Sequence, residues 1–157
     1  MDWIVVARMI HVIAVVLWIG GVAMVTLVLI PIFNTMENDA DGLRLFHAIE
    51  SQFATQARIT TFLTALSGLT MLHLTHGWSR FTDPSNWWLH GMVLIWSLFT
   101  IMLFVIEPFI LPRVVKKMRA ASTKKIFPAM LLLHRVLLAG SLITLAGGVA
   151  GAHGWSF

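Results

Sequence analysis

Apolar residues gather in four long runs along this chain, roughly residues 3–31, 58–78, 87–112 and 127–153, with polar residues confined mainly to the segments between them. Each run reaches the roughly 20 residues that carry an α-helix across the hydrocarbon core of a bilayer. The short alternating strands of a membrane β-barrel are not in the pattern. The runs predict an all-α fold, an integral membrane four-helix bundle. Residues 1–157 form one domain, since no linker, low-complexity segment or internal repeat interrupts them. The first run lies where a signal peptide would, but it is too long and its first charge is Asp2 rather than a basic residue. It is expected to be a retained helix.

Between the first two runs, residues 33–57 mix Glu37, Asp39, Asp41, Arg44, His47 and Glu50 with Leu43, Leu45, Phe46 and Phe53. That mixture suits a short amphipathic helix on the membrane surface. Composition supports the membrane reading: 58% of residues are hydrophobic, 11% are charged and the mean hydropathy is +0.84, beyond what a soluble domain needs for its core. There is no cysteine. Disulfides, thiolate metal sites, iron–sulfur clusters and covalently attached c-type haem are thereby excluded.

Charge sets the expected orientation. Arg113, Lys116, Lys117, Arg119, Lys124 and Lys125 fall in one acid-free connection between the third and fourth runs. The positive-inside rule makes that loop cytoplasmic and puts the N-terminus and C-terminus on the outer, periplasmic side. Trp3, Trp78, Trp87, Trp88 and Trp155 then fall at the outer ends, as an interfacial aromatic belt should. The expected location is a bacterial inner (cytoplasmic) membrane, crossed several times. The net charge of +4 comes mainly from the one loop, a topology determinant touching anionic lipid, and no nucleic-acid partner is expected.

In this arrangement five of the seven histidines, His11, His73, His76, His90 and His153, lie toward the outer side. Counting at the α-helical rise, His11 lies about 12 Å below Trp3 and His73 about 7.5 Å below Trp78. They are the deepest pair. Inside a bilayer an imidazole is costly unless it is used. A b-type haem in a helical bundle needs imidazoles on facing helices, thin backbone to admit the macrocycle, and cations for its propionates. His11 and His73 are the candidate axial ligands, with His76 and His90 as substitutes. Gly20, Gly21, Gly68, Gly91, Gly140, Gly147, Gly148 and Gly151 offer thin backbone, and Arg8, three residues before His11, is the candidate propionate partner. Blander roles stand beside these: His76, His90 and His153 as interfacial residues, Arg8 as a snorkelling side chain and the glycines as packing sites.

Copper is the alternative ligand, because Met9 and His11, Met71 with His73 and His76, and His90 with Met92 interleave thioether and imidazole. A second polar group, Glu107 with His134 and Arg135, lies toward the cytoplasmic side, where Glu107 pairs with Arg135 or a loop lysine and Pro108 and Pro112 end the third helix. His90, Ser97, Thr100 and Glu107 recur at near-helical spacing and sketch a proton or ion path. In the second run Thr60, Thr64, Ser67, Met71 and Thr75 share one face, nearly opposite His73 and His76. If the histidines face inward, that stripe needs another surface, which points to a homo-oligomer or to membership of a larger membrane complex.

The stretch Arg8-Met9-Ile10-His11-Val12-Ile13-Ala14-Val15-Val16-Leu17-Trp18-Ile19-Gly20-Gly21 resembles the first-helix signature of the copper resistance D (CopD)-like membrane proteins, in which a His precedes Trp-x-Gly-Gly by about two turns. It is similar, less closely, to HemJ-type protoporphyrinogen oxidases, small four-helix membrane proteins that bind b-type haem. Their Leu-Pro-Arg continuation is replaced here by Val25-Thr26-Leu27-Val28-Leu29-Ile30-Pro31. The resemblance implies that His11 is the position that matters most, with Trp18, Gly20 and Gly21 around it, so Trp18 and Gly21 join the candidate cofactor-binding set. The expected function is that of a small membrane b-type cytochrome moving electrons between quinol, or another membrane donor, and a periplasmic redox partner. Copper binding or uptake is the alternative.

Overall fold

A computed structural model describes residues 2–34, 39–110 and 126–155, and among them every regular element is helical. The basic loop and Pro112 lie outside the described residues. The chain runs through α1 (Trp3–Met24), a π-helical segment Val25–Leu29, α2 (Ile30–Asn34), α3 (Asp39–Leu74), two short 3-10 turns (Gly77–Thr82 and Pro84–Asn86), α4 (Trp87–Ile101), a second π-helical segment Met102–Ile110, and α5 (Ile126–Ala152). Three stretches are long and apolar enough to cross a membrane: Trp3–Phe33, Pro84–Phe109 and Met130–Ala152.

Both π segments accompany a proline. Proline has no N–H to donate, and in an α-helix its ring collides with the carbonyl four residues earlier. Widening the turn relieves that clash. Ile30 donates its N–H to the Val25 carbonyl, a step of five, immediately before Pro31. Pro108 sits within the second π segment, so the helix passes through it to Ile110 instead of ending there as its sequence suggests.

The second long helix also differs from expectation. Residues 39–57 are not a separate surface helix: they continue without a break into the apolar run, giving a 36-residue α3. It ends at Leu74 rather than 78, because His76 adopts a left-handed conformation with φ 50° and the chain turns away. The hydroxyls of Thr60, Thr64, Ser67, Thr70 and Thr75 donate to carbonyls three or four residues earlier, which satisfies them within the helix.

Packing follows side-chain size. Ala7, Ala14 and Trp18 are buried on the face of α1 that carries His11, and α3 lies along it with Thr60, Thr64 and Ser67 buried. The small residues let the two backbones come close. Below them Trp18, Ile19 and Val22 meet Phe99 of α4 and Leu137 and Leu138 of α5; the Trp18 and Phe99 rings are edge to face, 5.1 Å apart. A second cluster, Val25, Ile30 and Phe33, continues the core against Met130 and Leu131. At the other end of α5, Gly147 and Gly151 admit the indoles of Trp87 and Trp88, where a methyl group would collide. Outward faces are apolar on every long helix: Val12 and Val16 on α1, Phe62 and Leu69 on α3, Leu94 on α4, Leu132 and Ile143 on α5.

Candidate metal centre

His11 lies eight residues into α1 from Trp3, about 12 Å along the axis. It is half-buried, and its ring is held by α3. Nδ1 lies 3.0 Å from the Thr64 carbonyl oxygen and 3.1 Å from Ser67 Oγ. Which nitrogen carries the proton follows from the partners. The carbonyl can only accept. Ser67 gives its own proton to the Leu63 carbonyl at 2.6 Å, so toward His11 it is also an acceptor. Both contacts therefore require N–H at Nδ1, and in the neutral ring the lone pair is on Nε2. That nitrogen has no hydrogen-bond partner among the described residues. An imidazole that donates one N–H to a backbone carbonyl and offers the other nitrogen is the usual geometry of a metal-binding histidine.

Gly68 completes the cradle. A Cβ there would stand 3.3 Å from His11 Cε1 and 3.6 Å from Nδ1, so the ring edge rests against bare backbone.

The other predicted site residues are placed differently. His73 is exposed, nine residues beyond Thr64. Nine residues of α-helix are about 13.5 Å and two and a half turns, which puts it on the opposite side of α3 from the carbonyl that holds His11. The structure does not bring His11 and His73 together as an axial pair. The cause is the hydroxyl stripe: it is the stripe that α3 buries against α1, and this turns His73 outward. His76 is exposed at the turn after α3, and His90 is exposed with its ring edge-on to Phe81 at 5.5 Å. His153 is exposed and bonds the carbonyl of Val149 in its own helix. Arg8 is exposed, one turn outward from His11. Trp18 is core, and Gly21 is where the ring of Phe53 packs on α1, a place no side chain could share. Gly68 is one of the glycines expected to offer thin backbone; Thr64 and Ser67 are not candidate site residues by sequence, and the Ser/Thr stripe is the signal that points to them.

On the other side, Glu107 pairs with Arg58 of α3, a residue the sequence does not single out; Arg135 is exposed, and the loop lysines lie outside the described residues. Arg58 Nη2 is 3.1 Å from Glu107 Oε1, and its Nε donates to the Leu103 carbonyl at 3.3 Å. His134 bonds the Met130 carbonyl, and Arg135 is exposed. Of the residues sketched as a path on the third run, Thr100 bonds its own helix at Trp96 and His90 faces outward.

Among the described residues no three His, Asp or Glu side chains converge on one point. A bare ion that needs three or four imidazole or carboxylate ligands has no such set among the described residues. A group that brings its own equatorial donors needs only one imidazole from the protein, and His11 supplies it. Scans against family models, curated proteins and solved structures return no match to the chain.

Proposed function

We propose that the protein is a small membrane cytochrome that binds b-type haem through Nε2 of His11. The observation that supports this is the state of that ring: anchored at Nδ1 by two acceptors, with Nε2 unpartnered, deep along an apolar helix. In this reading all four long helices cross the membrane. α3 qualifies through its apolar outward face, because Thr60, Thr64 and Ser67 are buried and bond its own backbone. The basic loop 113–125 is cytoplasmic and both termini are periplasmic, as in a bacterial inner membrane protein. The site then lies in the outer half of the bilayer. Arg8, one turn nearer the interface, is the cation for a propionate, and His73, His76 and His90 form the wet rim.

Haem, when bound, supplies a one-electron iron couple. The chain's part is to hold the ring of His11 in one tautomer and one orientation, and to keep water away through the packing of Ala7, Ala14 and Trp18 below the rim. The work proposed is electron transfer from quinol or another membrane donor to a periplasmic acceptor. Visible spectra of the detergent-purified protein test it: a Soret band with reducible α and β bands is expected in protein made with ample haem, and His11→Ala removes it. A haem-free wild type under those conditions sinks the proposal.

A copper reading is favoured by one observation. Met71 is part-buried on the hydroxyl face of α3, one turn beyond Ser67, so a thioether lies on the same face as the residues that hold His11. Imidazole with thioether suits Cu(I). Stoichiometric copper in haem-free protein would support it.

A further inference from the structure

We infer that one ordered water is held inside the bundle between the Trp18 indole and the Thr61 hydroxyl, joining α1 to α3 two turns below His11. No cofactor is involved, so the site stands apart from the haem reading.

Register sets the two residues opposite each other. Gly68 of α3 receives the ring of His11, and Gly21 of α1 receives the ring of Phe53, so the two helices run antiparallel. Trp18 is seven residues on from His11, and Thr61 is seven residues back from Gly68. Seven residues make two turns of α-helix, so each step descends about 10.5 Å and stays on nearly the same face. Trp18 and Thr61 therefore meet one rung below His11 and Gly68.

Both are enclosed, Trp18 being 4% and Thr61 1% exposed, and each leaves a polar atom unpartnered among the described residues: Nε1 of Trp18 and Oγ1 of Thr61. Other buried hydroxyls behave differently. Thr26, Thr60, Thr64, Ser67 and Ser141 each donate to the carbonyl four residues earlier. Thr61 does not, which leaves its hydroxyl for a neighbour in the core. Its carbonyl accepts the indole N–H of Trp96 at 3.0 Å, and Trp96 packs on the cluster that contains Trp18 and Phe99.

Chemistry selects the occupant. An indole N–H only donates, so the group it meets must accept, whereas a hydroxyl does both. Trp18 and Thr61 do not bond each other directly. A water accepts from Trp18 and exchanges a hydrogen bond with Thr61, and leaving two buried polar groups unmade costs more than immobilising one water. An ion has less claim, because the charge of Arg58, three residues before Thr61, is balanced by Glu107. The water is a single fixed molecule, sealed from bulk solvent by the packing around Trp18.

The test is a crystal structure of the full-length protein, without added haem, at a resolution that shows ordered solvent. Density is expected within hydrogen-bonding distance of both Trp18 Nε1 and Thr61 Oγ1. Thr61→Val, close to isosteric but without the hydroxyl, should lose that density, and Thr61→Ser should keep it. In solution, the indole proton resonance of Trp18, assigned by its loss in Trp18→Phe, should move upfield in Thr61→Val and not in Thr61→Ser. A wild-type map in which the two atoms bond each other or a backbone carbonyl, or lie in apolar contact with no density between them, overturns the proposal. So does density or an indole shift that Thr61→Val leaves unchanged. If a variant does not fold, the wild-type map alone decides.

Discussion

Ser67 stands toward His11 as an acceptor: its proton is committed to the Leu63 carbonyl, and its oxygen, 3.1 Å from Nδ1, shares the imidazole N–H with the Thr64 carbonyl. Ser67→Ala removes one of two acceptors and leaves the other. The fold should lose little, about 1 kcal/mol or less. Removing a metal ligand's hydrogen-bonding partner typically costs 10- to 100-fold in affinity; with Thr64 remaining, haem affinity should fall by roughly tenfold. Haemin titration of the apoprotein reads this directly, and an unchanged affinity would show that the Thr64 carbonyl alone orients the ring.

Gly68→Ala should move stability and ligation in opposite directions. Inside a helix the change from glycine to alanine gains about 0.5–1 kcal/mol. The new methyl group, however, would stand 3.3 Å from His11 Cε1, closer than ordinary contact, so the ring must shift by a few tenths of an ångström. The apoprotein should unfold at higher denaturant while haem binding weakens. If both rise together, the cradle is looser than its geometry indicates.

Arg58 and Glu107 are 35% and 23% exposed, neither free in solvent nor fully enclosed. Exposed ion pairs contribute at most about 1 kcal/mol, and breaking a buried one costs about 3–5 kcal/mol. A double-mutant cycle on Arg58→Met and Glu107→Gln should give a coupling of roughly 1–2 kcal/mol, between those limits. Unfolding in mixed micelles measures it. Additive effects would mean that Arg58 works only through the Leu103 carbonyl.

Asp83 holds the loop between α3 and α4. Its carboxylate accepts the Ser85 N–H at 2.9 Å, and that bond keeps its pKa below the ordinary aspartate value. A lowered pKa in the folded state adds stability that is present above the ordinary value and is lost as pH falls through the lowered one. The 3-10 turn Pro84–Asn86 should therefore hold at neutral pH and loosen as pH falls below the ordinary aspartate range. Asp83→Ala should abolish that dependence, as amide exchange at Ser85 across an acid titration would reveal.

Helix identity was legible wherever apolar runs exceed bilayer length, because length and hydropathy alone decide it. The reach of α3 was not, since residues 39–57 carry the charges of a surface segment while continuing a helix that packing on α1 sustains. His11 was legible as an imidazole where imidazoles are costly. Its partner was not: the principal acceptor is a backbone carbonyl, and every residue has one. The rotation of α3 was open, because its hydroxyl stripe and its histidines lie on opposite faces and only one of them can meet α1. Packing selects the stripe, because hydroxyls that bond their own helix bury at little cost and make a smooth, close-fitting surface. Arg58 stands at the edge of its run, where nothing in the sequence marks it as the cation that pairs with Glu107.

The two π-helical segments divide the molecule mechanically. Pro31 and Pro108 each withhold a backbone N–H and are accompanied by a widened turn, in the half of the protein farther from His11. The half around His11 is built from uninterrupted α-helix, with Trp3–Met24 against the final turns of α3. Regularity is thus graded along the axis: unbroken α-helix holds the imidazole at one end, and widened, proline-bearing turns, the places where helices bend most readily, gather at the other.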